Sequence, residues 1–166
     1  MIYLWTGFFS LLPISELRGG IPFALLNGIP WFIAWPFAVA VNSLAAPLCW
    51  IFLSTLHRLF YGSAEDGGPK KGFAWYRSIF DRFVERTRAK LRRGVEKWGA
   101  LGIALFVAIP LPVTGAWTGT LGAWVLGLPK RKTLPAVILG VAAAGAIVTA
   151  VVLLGRGAFG IFIKDL

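Results

Sequence analysis

Long apolar blocks constrain the fold of this chain more than any other feature. Residues 31–56 and 133–154 contain no charged side chain, and a helix that spans a bilayer needs about 20 such residues. Hydrophobic residues make up 57% of the 166 positions and charged residues only 14%, so a water-soluble domain of this length could not bury them all. The sequence therefore predicts an integral membrane protein, which has the lipid bilayer as a partner.

Basic residues are concentrated between the two blocks. Residues 57–97 contain eleven Lys and Arg residues against five Asp and Glu residues. Beside membrane spans, such an excess of basic residues more often determines which side of the membrane a loop occupies than it binds nucleic acid. We therefore expect no nucleic-acid partner and place this loop in the cytoplasm. Apolar residues recur at helical spacing from Trp75 to Trp98. This pattern predicts an amphipathic helix on the cytoplasmic leaflet, serving as an anchor or recognising anionic lipid.

Two further apolar stretches are broken in the middle. Residues 2–29 are interrupted by "PISELRGG", and residues 99–129 are interrupted around Pro110–Gly115. The segments on either side of the second stretch are both basic, so it should leave the cytoplasm and return, yet it is too short for two full spans. Each stretch is therefore predicted to be a re-entrant helical hairpin. The first should enter from the face opposite the cytoplasm, because the 31–56 span runs toward the cytoplasm.

An internal repeat relates the two hairpins. A shift of 99 residues places 12–36 on 111–135 without a gap, and the breakers of regular structure coincide. The identical pairs are Leu12/Leu111, Pro13/Pro112, Gly20/Gly119, Ala24/Ala123, Gly28/Gly127, Pro30/Pro129 and Pro36/Pro135. Because the hairpins enter from opposite faces, the predicted architecture is an inverted-topology repeat, which places broken helices face to face at mid-membrane.

The predicted fold class is an all-α integral membrane protein built from these two repeats. Repeat 1 is residues 1–56, with the re-entrant hairpin 2–29 and the transmembrane helix 31–56. The cytoplasmic linker and amphipathic helix occupy 57–97. Repeat 2 is residues 98–166, with the re-entrant hairpin 99–129, the transmembrane helix 133–154 and a short tail that the pattern leaves unassigned. So small a bundle leaves its hairpins facing lipid, which makes a homo-oligomer plausible.

Two opposite charges lie at the first bend, where each would cost about 2.5–3.5 kcal/mol at the bilayer centre. Glu16 and Arg18 are followed by Gly19-Gly20, expected to break the chain, and by Pro22, expected in the first turn of the returning half-helix. We expect the free N–H groups of that half-helix, with Arg18, to bind a phosphate or carboxylate. Glu16, partly desolvated, could carry a proton. The alternative is that the two charges only neutralise each other or cap the bends.

The second bend lacks charges but contains hydroxyls. Thr114 is expected to cap the second half-helix. Trp117 could contact substrate or serve only in packing, and the Gly115–Gly119 spacing could be helix packing alone. Nothing in the sequence forms a nucleophile–base set or a metal motif, and Cys49 is a single cysteine. We therefore expect no enzyme activity and no cofactor other than a coupling proton or sodium ion.

The stretches "ISELRGGIPFAL" and "FVAIPLPVTGAWTGTLGAWVLGL" resemble the two signature stretches of the putative small multi-drug export protein family, which is related to the DedA/VTT membrane proteins. The resemblance implies two opposed re-entrant hairpins in the prokaryotic inner membrane. DedA-type relatives are implicated in moving polyprenyl-phosphate carriers with proton coupling. Glu16 and Arg18 correspond to the family's acidic and basic hairpin residues, and Asn42 matches a family position. Unlike DedA proteins, this chain has Trp117, not arginine, in the second hairpin.

These observations favour a transporter or lipid flippase for an anionic, phosphate-bearing amphiphile. Arg18 would hold the anion, Glu16 would exchange a proton, and Thr114 and Thr118 would supply hydroxyls. A scaffold or assembly factor that acts through the basic helix remains an alternative, as does a small-molecule multidrug exporter. The candidate substrate- or ion-binding residues are Ser15, Glu16, Arg18, Gly19, Gly20, Asn42, Pro112, Thr114, Gly115, Trp117, Thr118 and Gly119.

Overall fold

The described part of the chain is helical throughout. The computed structural model describes residues 1–61, 98–111 and 114–164, and no strand occurs in these ranges. The predicted amphipathic helix and Pro112 lie outside them. The all-α class is confirmed for the described residues. The helices are α1 (Ile2–Leu11), α2 (Glu16–Leu26), α3 (Trp31–Ser43), α4 (Ala45–Tyr61), α5 (Trp98–Ala108), α6 (Ala116–Val125) and α7 (Lys130–Lys164).

Two helical segments are long and apolar enough to cross a membrane, as predicted. They are Trp31–Leu56 and Lys130–Gly155. The first is not one regular helix, because α3 ends at Ser43 and α4 begins at Ala45. Pro47 has no N–H to donate to the carbonyl of Ser43, and the amide of Leu44 bonds to the carbonyl of Val41 at 3.1 Å, a tighter turn. The second span continues to Lys164 and so includes most of the unassigned tail.

The remaining helices are short. Helices α1 and α6 have 10 residues and α2 has 11. At 1.5 Å per residue each is about 15 Å long, half of the ~30 Å hydrocarbon core of a bilayer. Helix α1 packs on α2, and a Cβ atom at Gly20 would collide with the Ser10 side chain. A Cβ atom at the repeat-equivalent Gly119 of α6 would collide with Val107 of α5. The two helices of each hairpin therefore meet at an equivalent glycine.

The 99-residue shift also relates the backbone at the ends of α2 and α6. Gly28 and Gly127 follow these helices with φ values of 83° and 75°, a left-handed conformation that favours glycine. The amide after each glycine donates to the carbonyl five residues earlier, and the next helix begins after an equivalent proline. These bonds are Ile29 N–H to Ala24 O and Leu128 N–H to Ala123 O, both 3.0 Å.

The predicted chain break at Gly19-Gly20 is wrong. Helix α2 begins earlier, at Glu16, so both glycines are helical and Pro22 lies inside the helix. The chain turns over residues 12–15, and Glu16, which follows this turn, has a φ of +48°. Gly20 is required for the close approach of α1, since a Cβ atom there would also lie 2.9 Å from the Thr6 carbonyl oxygen. Pro22 leaves the Arg18 carbonyl without the usual helical donor.

Small residues form most of the core, and large apolar side chains cover the outside. Ala24, Ala34, Ala38, Ala116 and Ala123 are fully buried, which is typical of helices that pack closely in membranes. Four buried hydroxyls in the described residues donate to the carbonyl one turn back, namely those of Ser10, Thr120, Thr133 and Thr149. The exposed side chains include Leu4, Phe52, Leu139, Val151 and Leu154, an outer surface suited to lipid.

Candidate functional site

The bends of the two hairpins face a common cavity. Its volume is about 230 Å³. The structure thus brings together predicted site residues that are about a hundred positions apart in the sequence. The lining residues are Pro13, Ile14, Glu16, Arg18, Thr114, Gly115 and Thr118.

Glu16 is buried, with 5% of its surface exposed. Its Oε1 atom accepts a hydrogen bond from the backbone N–H of Trp117 at 3.4 Å, and the N–H of Ala116 also points at the carboxylate. Both amides lie in the first turn of α6, where N–H groups have no helical acceptor and the helix dipole favours negative charge. The Glu16 carboxylate therefore occupies an anion position at the start of α6.

The backbone and the neighbours of Glu16 are unusual. Its φ of +48° is a conformation that costs a non-glycine residue about 1–2 kcal/mol. A Cβ atom at Gly115 would collide with the Glu16 carboxylate, and Gly115 is the residue that the 99-residue shift places on Glu16. The second hairpin therefore has no side chain where the carboxylate of the first hairpin enters.

Arg18 lies half-buried on the same cavity, with hydrogen-bonding capacity unfilled. Its Nη2 atom donates to Thr114 Oγ1 at 3.5 Å, a long hydrogen bond between the hairpins. Its Nε atom is buried and has no partner among the described residues. The charges of Arg18 and Glu16 act on each other, but the carboxylate is hydrogen-bonded to α6. Mutual neutralisation alone does not account for the unpaired Nε donor.

The predicted helix cap at Thr114 is wrong. The N-cap residue of α6 is Gly115, whose N–H donates to Thr118 Oγ1 at 3.0 Å. Thr114 is one position too early to cap the helix, and its hydroxyl joins the preceding turn. It accepts from the Leu111 N–H at 3.1 Å and donates to the carbonyl of Ile109. Thr118 therefore completes the N-terminus of α6, while Thr114 supports the bend and reaches Arg18.

Trp117 links the two hairpins through its indole. Its Nε1–H donates to the carbonyl of Leu11, the last residue of α1, at 3.0 Å. Trp117 and Arg18 are equivalent in the repeat, so each hairpin extends one long side chain to the other. The Cys49 thiol of α4 lies 3.7 Å from the Trp117 carbonyl oxygen. Sequence patterns named Trp117 but not these partners, because contacts between distant segments leave no local pattern.

Asn42 lies behind Glu16 on α3 and is completely buried, at 0% exposure. Its amide interacts with the Glu16 carboxylate, although neither its Nδ2 nor its Oδ1 atom makes a hydrogen bond of regular geometry with another described residue. The sequence pointed to Asn42 only through the family resemblance. A direct signal was available, because an amide in an otherwise apolar span is costly and usually functional.

The other predicted residues lie at helix contacts away from the cavity lining. Ser15 Oγ donates to the Phe9 carbonyl at 2.6 Å, and Gly19 lies against Ser15. Gly20 and Gly119 lie where the helices of each hairpin touch. Within the described residues, no three His, Cys, Asp or Glu side chains are grouped so that they could hold a metal ion.

A comparison with models of known protein families shows which family the chain belongs to. The model of the family described as "Putative small multi-drug export protein" matches residues 16–147, well over half of the sequence. The chain belongs to this family. No curated protein and no solved structure matches it. The family and the two apolar spans together indicate a membrane protein.

Proposed function

We propose that this member of the Putative small multi-drug export protein family is a transporter that moves an anionic, phosphate-bearing amphiphile across the inner membrane of a prokaryotic cell. The observation that supports this most is the half-buried Arg18, whose Nε has no partner among the described residues and whose side chain lines the cavity between the two bends. Intramembrane cations of this kind commonly mark a substrate path.

The short helices favour a re-entrant arrangement. Each is about half as long as a bilayer core is thick, and each pair is joined by a bend that contributes to the cavity. Under the proposal the two hairpins enter from opposite faces, so that the cavity lies near mid-membrane. A site at the interface of inverted repeats would then open alternately to either side.

The cavity suits a head group better than a whole molecule. Its volume of about 230 Å³ is below the roughly 300–1,000 Å³ typical of pockets for drug-sized ligands. Arg18 supplies N–H donors on one side, beside the hydroxyl-bearing residues Thr114 and Thr118, while Pro13 and Ile14 supply apolar surface, with Ile14 91% exposed. A phosphate head would contact Arg18, and the acyl or polyprenyl tail would lie along the apolar exterior. The proposed relationship to DedA/VTT proteins, which are implicated in moving polyprenyl phosphates, supports this substrate class.

Glu16 is the candidate for proton coupling. It is the carboxylate on the cavity, it is almost fully buried, and it lies near Arg18. Loading a proton on Glu16 and a singly charged phosphate on Arg18 would add no net charge to the site, and with a doubly charged phosphate the proton would cancel half of the added charge. This balance would reduce the electrostatic cost of moving the loaded site through the bilayer.

A second candidate is export of small drug-like molecules, which the family's description favours. Multidrug substrates are often lipophilic cations, and these would be repelled by Arg18 unless they bind directly at Glu16. A third candidate is a scaffold that acts through the basic segment 57–97. It predicts that charge reversal at Arg88, Arg92 and Arg93 abolishes function, whereas changes at Glu16 and Arg18 do not.

The test is uptake by proteoliposomes across a pH gradient. A fluorescent polyprenyl phosphate is the main probe, the matching polyprenyl alcohol is the head-group control, and a lipophilic cationic dye tests multidrug export. Wild type should move the phosphate and not the alcohol. Arg18→Ala should abolish this movement, and Glu16→Gln should remove its dependence on the pH gradient. Arg58→Ala, an exposed arginine in α4, should behave as wild type.

Each alternative has its own result in this assay. Movement of the dye but not the phosphate would replace the proposal with multidrug export. No movement of any probe by folded wild type would overturn the proposal and favour the scaffold. Phosphate movement that is unchanged in Arg18→Ala would place the anion site elsewhere.

A further inference from the structure

Helix α6 is capped by a side chain of the other hairpin. Its N-cap residue is Gly115, which has no side chain, whereas a Ser, Thr, Asp or Asn at this position would cap the helix with its own oxygen. The N–H of Trp117, in the first turn, donates instead to Oε1 of Glu16 at 3.4 Å. A cap built into position 115 could not leave the helix, but a carboxylate that belongs to the first hairpin can be withdrawn.

The Glu16 side chain reaches this position from a strained backbone. Its φ of +48° lies in the left-handed region, which is unfavourable for a residue with a Cβ atom. A Cβ atom at Gly115 would collide with the carboxylate, so the carboxylate fills the space where an ordinary cap would lie. Strain of this kind persists where the surroundings hold a residue in place, and it is frequent at ligand sites.

Arg18 lies beside this carboxylate but is not used by it as its hydrogen-bond partner. Both residues line the same cavity, and Nε of Arg18 has no partner among the described residues. Its Nη2 atom makes a long bond of 3.5 Å to Thr114 Oγ1. A carboxylate that served only as the counter-ion of Arg18 would be expected to bond to these donors directly. The cavity therefore has two sets of anion donors, the guanidinium and the first turn of α6, and Glu16 occupies the second.

We propose that the start of α6 is a second part of the anion site, which the Glu16 carboxylate occupies until an oxygen of the phosphate head displaces it. Carboxylate and phosphate oxygens are both acceptors, and both suit the N–H groups at a helix N-terminus. The bound head group bridges Arg18 and α6, and Glu16 is its internal competitor. This inference rests on the proposed function, because it concerns the same site.

The competition makes charge a requirement for the ligand. A neutral head group that displaced Glu16 would leave a buried carboxylate without its N–H partner, which is strongly unfavourable. A phosphate has several acceptor oxygens, so one can replace the carboxylate on α6 while another contacts the Arg18 guanidinium. The same backbone amides thus exclude neutral lipids and admit an anionic head group.

Three substitutions separate displacement from a simple effect of charge. Glu16→Gly removes the carboxylate and suits the left-handed backbone. Glu16→Gln removes the charge but keeps the side chain, with an oxygen that can still accept from the Trp117 N–H. Gly115→Ala places a Cβ atom in the space of the carboxylate and so blocks the position for any anion. Gly122→Ala is the matched control in the same helix, because its Cβ atom would meet nothing within 4 Å.

Binding of fluorescent farnesyl phosphate to the full chain in lipid nanodiscs is the first measurement, with fluorescent farnesol as the uncharged control. The second is the NMR signal of the isotope-labelled Trp117 backbone N–H, recorded with farnesyl phosphate and with inorganic phosphate alone. Glu16→Gly should bind farnesyl phosphate about tenfold more tightly than wild type, and both phosphates should shift the Trp117 signal. Farnesol should do neither.

The other variants give the expected pattern. Glu16→Gln should bind farnesyl phosphate less tightly than Glu16→Gly does, because its side chain still occupies the position. In a Gly115→Ala background, the gain from Glu16→Gly should shrink to that of Glu16→Gln, since only the removal of charge is left. In a Gly122→Ala background, the full gain should remain. The comparison of Glu16→Gly with Glu16→Gln stands even where Gly115→Ala does not fold.

Equal gains in Glu16→Gly and Glu16→Gln would show that Glu16 acts through its charge alone and would overturn the inference. A Trp117 signal that stays unmoved while farnesyl phosphate binds would do the same, and Arg18-dependent transport would then leave the proposed function standing. If inorganic phosphate shifts the Trp117 signal in Glu16→Gly but farnesyl phosphate binds to no variant, the anion position is supported and the proposed substrate is overturned. Binding of neither phosphate to Glu16→Gly would overturn both.

Discussion

The two hairpins have similar backbones and different polar side chains. Both returning helices end in a left-handed glycine at equivalent positions, 28 and 127, and both touch their partner helix at a glycine. The first hairpin places Glu16 and Arg18 at its bend, whereas the second has Gly115 and Trp117 at the equivalent positions. The first bend therefore supplies the charges, and the second supplies the space and the N–H groups that receive the Glu16 carboxylate and the hydroxyl that accepts from Arg18. Two hairpins of similar backbone can thus form one polar site when only one of them has charged side chains at its bend.

The largest effect is expected where the second hairpin makes room for the first. Gly115→Ala adds a Cβ atom that collides with the Glu16 carboxylate, which must then leave the start of α6, so we expect transport to fall to background. The free energy of unfolding should fall by only about 1 kcal/mol, because the carboxylate ends a flexible side chain that can move aside. Gly122→Ala in the same helix is the control, because its Cβ atom would meet nothing within 4 Å. Denaturation in mixed micelles and the uptake assay measure both effects. An active Gly115→Ala protein would show that the absence of a side chain at this position is incidental.

An intermediate effect tests whether the two hairpins are mechanically equivalent. Gly20→Ala and Gly119→Ala should each lower the free energy of unfolding by about 1–2 kcal/mol, because each forces two packed helices apart. Gly20→Ala should cost more, since the Thr6 carbonyl oxygen is backbone and cannot rotate away, whereas Val107 is a side chain. Denaturation of the two proteins under identical conditions makes the comparison. Gly119→Ala costing nothing would show that only the first hairpin depends on this contact.

The smallest effect concerns the equivalent residues Arg18 and Trp117. Trp117→Phe removes the indole bond to the Leu11 carbonyl but keeps the backbone N–H that Glu16 accepts from. We expect a loss of about 0.5–1 kcal/mol in the free energy of unfolding, with transport retained. Trp31→Phe, at an exposed position at the start of α3, serves as the control. Loss of transport in Trp117→Phe alone would mean that both hairpins contribute a functional side chain at this position.

Much of the fold could be predicted because its signals are local. The length of an apolar run predicts a span, and the repeated Gly and Pro positions predict where short helices end. The same signals placed Glu16, Arg18 and Thr114 at bends, and the structure brings these three residues to one cavity. The helix boundaries that could not be predicted depend on the conformation or hydrogen bonding of single residues. The missing N–H of Pro47 accompanies the break after Ser43, and the left-handed backbone of Glu16 starts α2 before Gly19.

The partners in the site could not be predicted for a different reason. The bonds from Trp117 to Glu16 and to Leu11 join segments about a hundred residues apart, and no spacing rule connects such positions. The N-terminal cap of α6 could not be predicted either, although its candidate residues are close together in the sequence. Both Thr114 and Thr118 are suitable types, and the backbone bond made by Gly115 decides between them.

The restriction of charge to the bend of one hairpin has a consequence for the direction of transport. In a transporter built from two identical inverted repeats, the inward-open and outward-open states are related by a two-fold rotation about an axis in the membrane plane and have equal free energy. Under the proposed function, Glu16 and Arg18 would move with the first hairpin only, so the two states would place a carboxylate and a guanidinium in different surroundings. The empty protein would therefore rest mainly open to one side of the membrane. Substrate that arrives from that side would meet an open site more often than substrate that arrives from the other side. The initial rate of transport would therefore depend on its direction.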